Sequence, residues 1–147
     1  MTPPNPLRLR NDRGSESVEL AIQMGLWVLF IGVIIAGGRI ATADHAVETA
    51  AADAARSASI SRTAAEARTS AINSARTTLA KQGLPCRTTT VTLDTSGFRT
   101  PVGQPAKVTA TITCVVKLSD IAVPGLPGSY TATKTISSPI DTYRERR

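Results

Sequence analysis

Few residues in this chain carry reactive chemistry, and their placement says more than their number. Glu19 stands between Val18 and Leu20 at the opening of an apolar run. A carboxylate held in hydrocarbon is costly unless it meets a partner, so its presence there calls for a functional reason. Five residues upstream lies Gly14, behind a leader that carries Arg8, Arg10 and Arg13. A plainer role is also open: Ser15 or Ser17 can cap a helix, and Glu16 and Glu19 then suit the positive end of its dipole. Cys86 and Cys114 are the only cysteines. Two cysteines in an exported segment favour a disulfide, whereas a cytoplasmic location favours two buried thiols. Such a bridge would stabilise a thin sheet by roughly 3 kcal/mol on the chain-entropy account.

The remaining candidates do not assemble into a reactive set. With two Cys and one His, the chain has no four-Cys zinc ribbon and no multi-His metal site. His45, beside Asp44 in an Ala-rich stretch, reads as a surface or lightly packed residue rather than part of a Ser/His/Asp arrangement. Gly103-Gln104-Pro105 and Gly125-Leu126-Pro127-Gly128 lack the spacing and the Lys of a phosphate loop. No catalytic, cofactor-binding or metal-binding residues are therefore expected, and an enzyme is not.

The element that must position Glu19 is the run from Leu20 to Gly38, nineteen residues without a charge. As a helix it spans roughly 28 Å, close to the hydrocarbon thickness of a bilayer. Only Gln23 interrupts it, whereas a soluble core helix normally keeps a polar face. Arg8, Arg10 and Arg13 precede the run, and Arg39, Asp44, His45 and Glu48 follow it. The positive-inside bias therefore predicts a cytoplasmic N-terminus and an extracytoplasmic C-terminal part. A cleavable signal, with Ile40-Ala41-Thr42-Ala43 as its small-residue cut site, is the competing reading. Pro3, Pro4 and Pro6 keep the first residues extended.

The stretch Arg13-Gly14-Ser15-Glu16-Ser17-Val18-Glu19-Leu20-Ala21 has the Gly-to-Glu spacing of a type IV prepilin. It resembles the opening of TadE-like proteins, minor pseudopilins of tight-adherence (Flp-type) pilus systems. Gly38-Arg39 and the Ala-rich run to Ala58 resemble the same family's exit from the membrane. The likeness covers residues 13–58, with departures at Leu20, where an aromatic is frequent, and at Gly37, where a Glu is frequent. It implies that a membrane-embedded prepilin peptidase cuts between Gly14 and Ser15. Glu19 then becomes the fifth mature residue and pairs with the N-terminal amine of a neighbouring subunit. The other partners it implies are pilin or pseudopilin subunits, an inner-membrane assembly platform and the lipid bilayer.

Beyond the span, residues 41–82 are Ala-rich without Pro or Gly, which favours helix. Val47, Ala51, Ala54, Ala58, Ala65, Ile72, Ala75 and Leu79 form an apolar seam, interrupted at Ser61 and Arg68. A single helix over 16–82 is expected, bent if anywhere at Gly37-Gly38 and stopped by Gly83-Leu84-Pro85. Thereafter the period becomes two, and 88–94, 106–118 and 129–137 read as strands. Twelve Thr between residues 88 and 135 fit half-exposed strands. The breaks fall at Ser96-Gly97, Pro101 to Pro105 and Pro124 to Gly128. The expected fold is thus α+β and type IV pilin-like, a long N-terminal transmembrane helix followed by a small antiparallel β-meander. Its parts are a basic leader (1–14), a membrane and assembly segment (15–39), an Ala-rich extracytoplasmic helix (40–83), and a sheet domain with a flexible tail at Arg144 to Arg147 (84–147).

Aromatic residues make up only 3% of the chain, which leaves no stacking surface for single-stranded nucleic acid. From residue 39 onward, fourteen Lys/Arg against eight Asp/Glu leave +6, dispersed as on a solvated surface. The alternative is a membrane-tethered module that touches anionic cell-wall polymers or DNA and is neither processed nor polymerised. A secreted protein starting near Ala43 or Asp44 is the third reading.

Overall fold

The computed structural model describes residues 12–119, 125 and 127–143, and its side chains from residue 17 onward. The residues before Asp12, Pro124 and Leu126 of the last Pro/Gly break, and the Arg144–Arg147 tail lie outside the described residues. The first element, α1, is a helix of 48 residues over Asp12–Ser59, about 70 Å long at the standard rise. It passes through Gly37 and Gly38 without interruption. The second helix, α2, covers Ala64–Lys81. Three strands follow, β1 (Cys86–Asp94), β2 (Ala106–Lys117) and β3 (Ser129–Ile140). They pair antiparallel in the order β1-β2-β3, the expected meander.

The single helix expected over 16–82 is instead a helical hairpin. The reason is a capping signal at Thr63, within the Ala-rich stretch. Thr63 adopts extended backbone and its side chain accepts from the Glu66 N–H at 3.1 Å, while Glu66 Oε2 accepts from the Arg62 N–H at 3.1 Å. This Thr-x-x-Glu pattern satisfies one free donor of the new helix, the Glu66 N–H, and holds the Arg62 N–H just before the cap. The chain reverses over residues 60–63, and Asp53 then accepts from Thr78 Oγ1 at 2.7 Å across the antiparallel pair. The break also resets the helical phase. Ala67, Ala71, Ala75 and Leu79 are buried, whereas Ala65, expected on the seam, is exposed. The expected stop holds: Gly83 has φ +64°, and the Leu84 N–H reaches back to the Leu79 carbonyl at 3.3 Å, as at a glycine C-cap.

The hairpin lies on one face of the sheet, with α1 against β2 and β3 and α2 touching β1. From α1 the core takes Ala43, Val47, Ala50, Ala51, Ala54, Ala55 and Ala58, all with no exposed surface. Alternate residues of β2, Val108, Ala110, Ile112, Cys114 and Val116, point into it. Alanine gives little burial per residue, but it lets helix and sheet backbones approach closely, and this is how a chain so poor in aromatics closes a core. The sheet meets the helix along its second half rather than at its end. The third strand continues past the expected limit to Ile140, which is buried. Pro139 is tolerated there because β3 has a neighbour on one side only.

The opposite sheet face is a polar ladder. Thr109, Thr111 and Thr113 of β2 share hydrogen bonds of 2.8–3.1 Å with Ser137, Thr135 and Thr133 of β3. At the β1–β2 turn, Asp94 accepts from the Ser96 N–H at 2.9 Å, and that bond holds its carboxyl below the usual 3.8. The 3₁₀ turn that follows buries Phe98 against the core. A side-chain carbon at Gly97 would collide with the Lys107 carbonyl oxygen and meet Ile140 Cδ1 at 3.1 Å. Gly97→Ala is therefore expected to destabilise the domain by about 1–3 kcal/mol. Urea unfolding of the detergent-solubilised chain measures this, and an unchanged midpoint would mean that the turn shifts freely.

Candidate functional site: the membrane segment and its junction with the sheet domain

The described part of the first half of α1 stands largely outside the packed core. Its thirteen large apolar side chains from Val18 to Ile35 are 42–70% exposed. A soluble core helix hides such residues, so the bare stretch fits a membrane span, and its composition and length qualify it as one. Burial begins at Ala36, 2% exposed, and becomes regular from Ala43. The change therefore falls where the uncharged run ends.

Gly14 and Ser15 both lie in the opening turn of α1, which starts at Asp12. Glu19 is exposed on the helix surface. With Val18, Ile22 and Gln23 it lines a shallow depression. Glu19 and Gln23 are four residues apart and so share one face, which makes them a single polar facet on an otherwise apolar helix.

The two expected disulfide partners are joined, with an S–S distance of 2.04 Å. Strict alternation along β1 would turn Cys86 away from the core. The register slips between Cys86 and Thr88, and this bulge at Arg87 turns Cys86 inward toward the buried Cys114. The bridge ties the start of β1 to the central strand beside the membrane exit.

A polar latch fastens β3 to α1 through residues that no local pattern links. Tyr130 donates to the Asp44 carboxylate, at 3.1 and 3.2 Å to its two oxygens. Lys134 approaches the same carboxylate at 3.9 Å. Both groups of that ion pair are about a third exposed, so the charge contact adds little. A second link joins Ser138 to Ser59 at 3.1 Å toward the far end of the strand. The partners of the first latch are 86 residues apart, a separation no local pattern reveals. His45, next to Asp44, is exposed. Among the described residues, no cluster of three His, Cys, Asp or Glu could hold a metal ion.

What the fold defines is an α+β protein with one candidate membrane helix that continues as the core helix of a disulfide-bridged sheet domain. No family model, curated protein or solved structure matches the chain.

Burial, then the hydrogen bond to Asp44 and the charge of that carboxylate, push the Tyr130 phenol above its usual value of 10.0. The folded state thus holds the phenolic proton more tightly than the unfolded state. The resulting stability is complete below pH 10.0 and is lost as pH rises through the folded value. Unfolding of wild type and Tyr130→Phe from about pH 8 to about pH 12 tests this. The gap between them should be constant at the lower end and narrow above the ordinary tyrosine value. A gap that is level throughout would mean that the latch contributes nothing through ionisation.

Proposed function

We propose that the chain is a minor pseudopilin-like subunit of a tight-adherence (type IV-like) pilus. In this reading it is a single-pass membrane protein, cut between Gly14 and Ser15 by a prepilin peptidase, and it acts without catalysis. The observation that carries the proposal is the Gly14/Glu19 spacing at the foot of a bare apolar helix whose other half is the spine of a sheet domain. A span used only as a tether gains no more from a carboxylate at its entry than a favourable contact with the helix dipole. An assembling subunit does, because the cut creates an α-ammonium with the opposite charge in the same apolar layer.

The physical logic is one of register. An amine and a carboxylate placed among apolar helices attract strongly, and each is costly when left alone. Subunits therefore slide along one another until Ser15 of one meets Glu19 of the next. The polar facet formed with Gln23 supplies further hydrogen-bonding capacity on that side. Because the peptide bond after Gly14 lies in the opening turn of α1, cleavage requires that turn to unwind, and glycine lowers the cost of doing so. The N-terminus faces the cytoplasm, and the sheet domain stands on the opposite side, where a disulfide is chemically stable. There it contacts other subunits and presents the outward surface.

N-terminal sequencing of the protein from native membranes, with and without the peptidase, tests the processing. A start at Ser15 that disappears without the peptidase is the expected result. An uncut Met1 or Thr2 would instead make the chain a tethered binding module, and a start near Ala43 a secreted protein. In cells that process it normally, Glu19→Gln should leave the cut and the disulfide intact and abolish assembly, since an unpaired buried amine costs about 3–5 kcal/mol. Crosslinking of neighbouring subunits reads that loss.

A further inference from the structure

We propose that the outer edge of β1 pairs with the outer edge of β3 in a second copy of this chain held in the same bilayer, so that neighbouring domains share one sheet. The strand directions allow it. Tyr130 meets Asp44, and Ser138 meets Ser59. Eight residues along β3, about 26 Å, thus match fifteen along α1, about 22 Å. The third strand therefore runs beside α1, away from the membrane exit. The first strand has the same direction, because both are antiparallel to β2. Two copies anchored by α1 in one membrane stand the same way up. Set side by side with their helices on the same face, they bring β1 of one against β3 of the other as a parallel pair.

The edges suit such pairing. Among the described residues, no backbone group from outside the sheet bonds β1 between Thr88 and Leu93 or β3 between Thr131 and Ser138. The features that commonly blunt an edge sit at the ends, a bulge at Arg87 on β1 and Pro139 on β3. Lys134, the one charge between, is drawn to Asp44 on the helix side. On the open face Thr90, Thr113 and Thr133 form one row across the sheet, as do Thr92, Thr111 and Thr135. Hydroxyls of β2 and β3 already bond each other in these rows. A second copy continues each row with the same chemistry.

The helix layer along the seam is complementary in charge. Arg68 donates to Thr95 Oγ1, just past β1, at 3.4 Å. This contact places the Arg68 and Arg76 face of α2 on the β1 side. Asp44 and, one turn on, Glu48 lie on the β3 side of α1. Arg76 and Glu48 are both exposed, so a basic flank meets an acidic one. Edge groups exchange water for protein partners, a modest net gain. Shared anchoring adds the orientation and local concentration that a free domain lacks. The proposal rests on the membrane span, and neither the cut after Gly14 nor the pairing of Glu19 enters it.

The test uses the full, uncut chain in proteoliposomes without peptidase, mixing two differently tagged copies, one T90C and the other T133C. Copies at equal depth set these positions about 5 Å apart, whereas within one chain β2 separates them by about 10 Å, too far for a bridge. Oxidation should link T90C to T133C at least about tenfold more than T90C to T90C or T133C to T133C. T131C and T135C in place of T133C read the register. E48K in both copies should lower the yield about threefold to fivefold, and E48K/R76E should restore it. Peptide mapping verifies the Cys86–Cys114 bridge. Should an added cysteine disturb that bridge, a photoreactive benzoylphenylalanine at position 90 should capture a β3 peptide of the other copy. Equal linkage in all pairings, linkage only between like positions, or none would overturn the proposal. An E48K loss that R76E does not restore would overturn it as well.

Discussion

The organisation of this molecule depends on one helix that passes through two solvents. From Val18 to Ile35 its large apolar side chains are bare, as lipid requires; from Ala43 its inner face is mostly alanine, packed against strands and a second helix. An α-helix can make this passage because all its backbone hydrogen bonds are internal and remain satisfied in either medium. The two halves need different faces. Lipid accepts apolar groups all round, while an aqueous domain needs one packed stripe and a polar remainder. The change between Ala36 and Ala43 therefore positions everything downstream.

Alanine on the core face of α1 has consequences for the rest of the domain. It allows close approach but supplies little apolar area, so the sheet and helices need further fastening. The Tyr130–Asp44 and Ser138–Ser59 contacts hold β3 along α1, and the Cys86–Cys114 bridge holds the first strand to the second. The hairpin adds α2 as a second cover, with Ala67, Ala71, Ala75 and Leu79 completing the apolar layer. A single straight helix would have left the β1 side of the sheet uncovered.

In the proposed assembly the same division separates two tasks. Glu19 and the apolar span serve contact between subunits inside the membrane, and the sheet domain serves the water-facing side. The polar Thr ladder on the open sheet face keeps that face soluble, although β1 and β3 remain unpaired at their outer edges.

Much of this was legible from residue order, because it depends on local or periodic physics. The apolar run of Leu20 to Gly38 defines a candidate span by length and charge alone. The change to a period of two after Pro85 defines three strands, and the Gly83-Leu84-Pro85 stop appears where expected. The Thr63-x-x-Glu66 cap was equally local, but the Ala-rich composition on both sides of it masked it; helix propensity carries no information about a reversal that only capping bonds favour. Other features required the folded chain. The Asp44–Tyr130 latch joins residues from distant parts of the sequence. The bulge at Arg87 that aims Cys86 at Cys114 depends on how one strand pairs with another. Sequence by itself determined which segments favour lipid, helix or strand, since those preferences act over a few residues. Only the tertiary structure decided which side chains meet, because that follows from packing the whole chain at once.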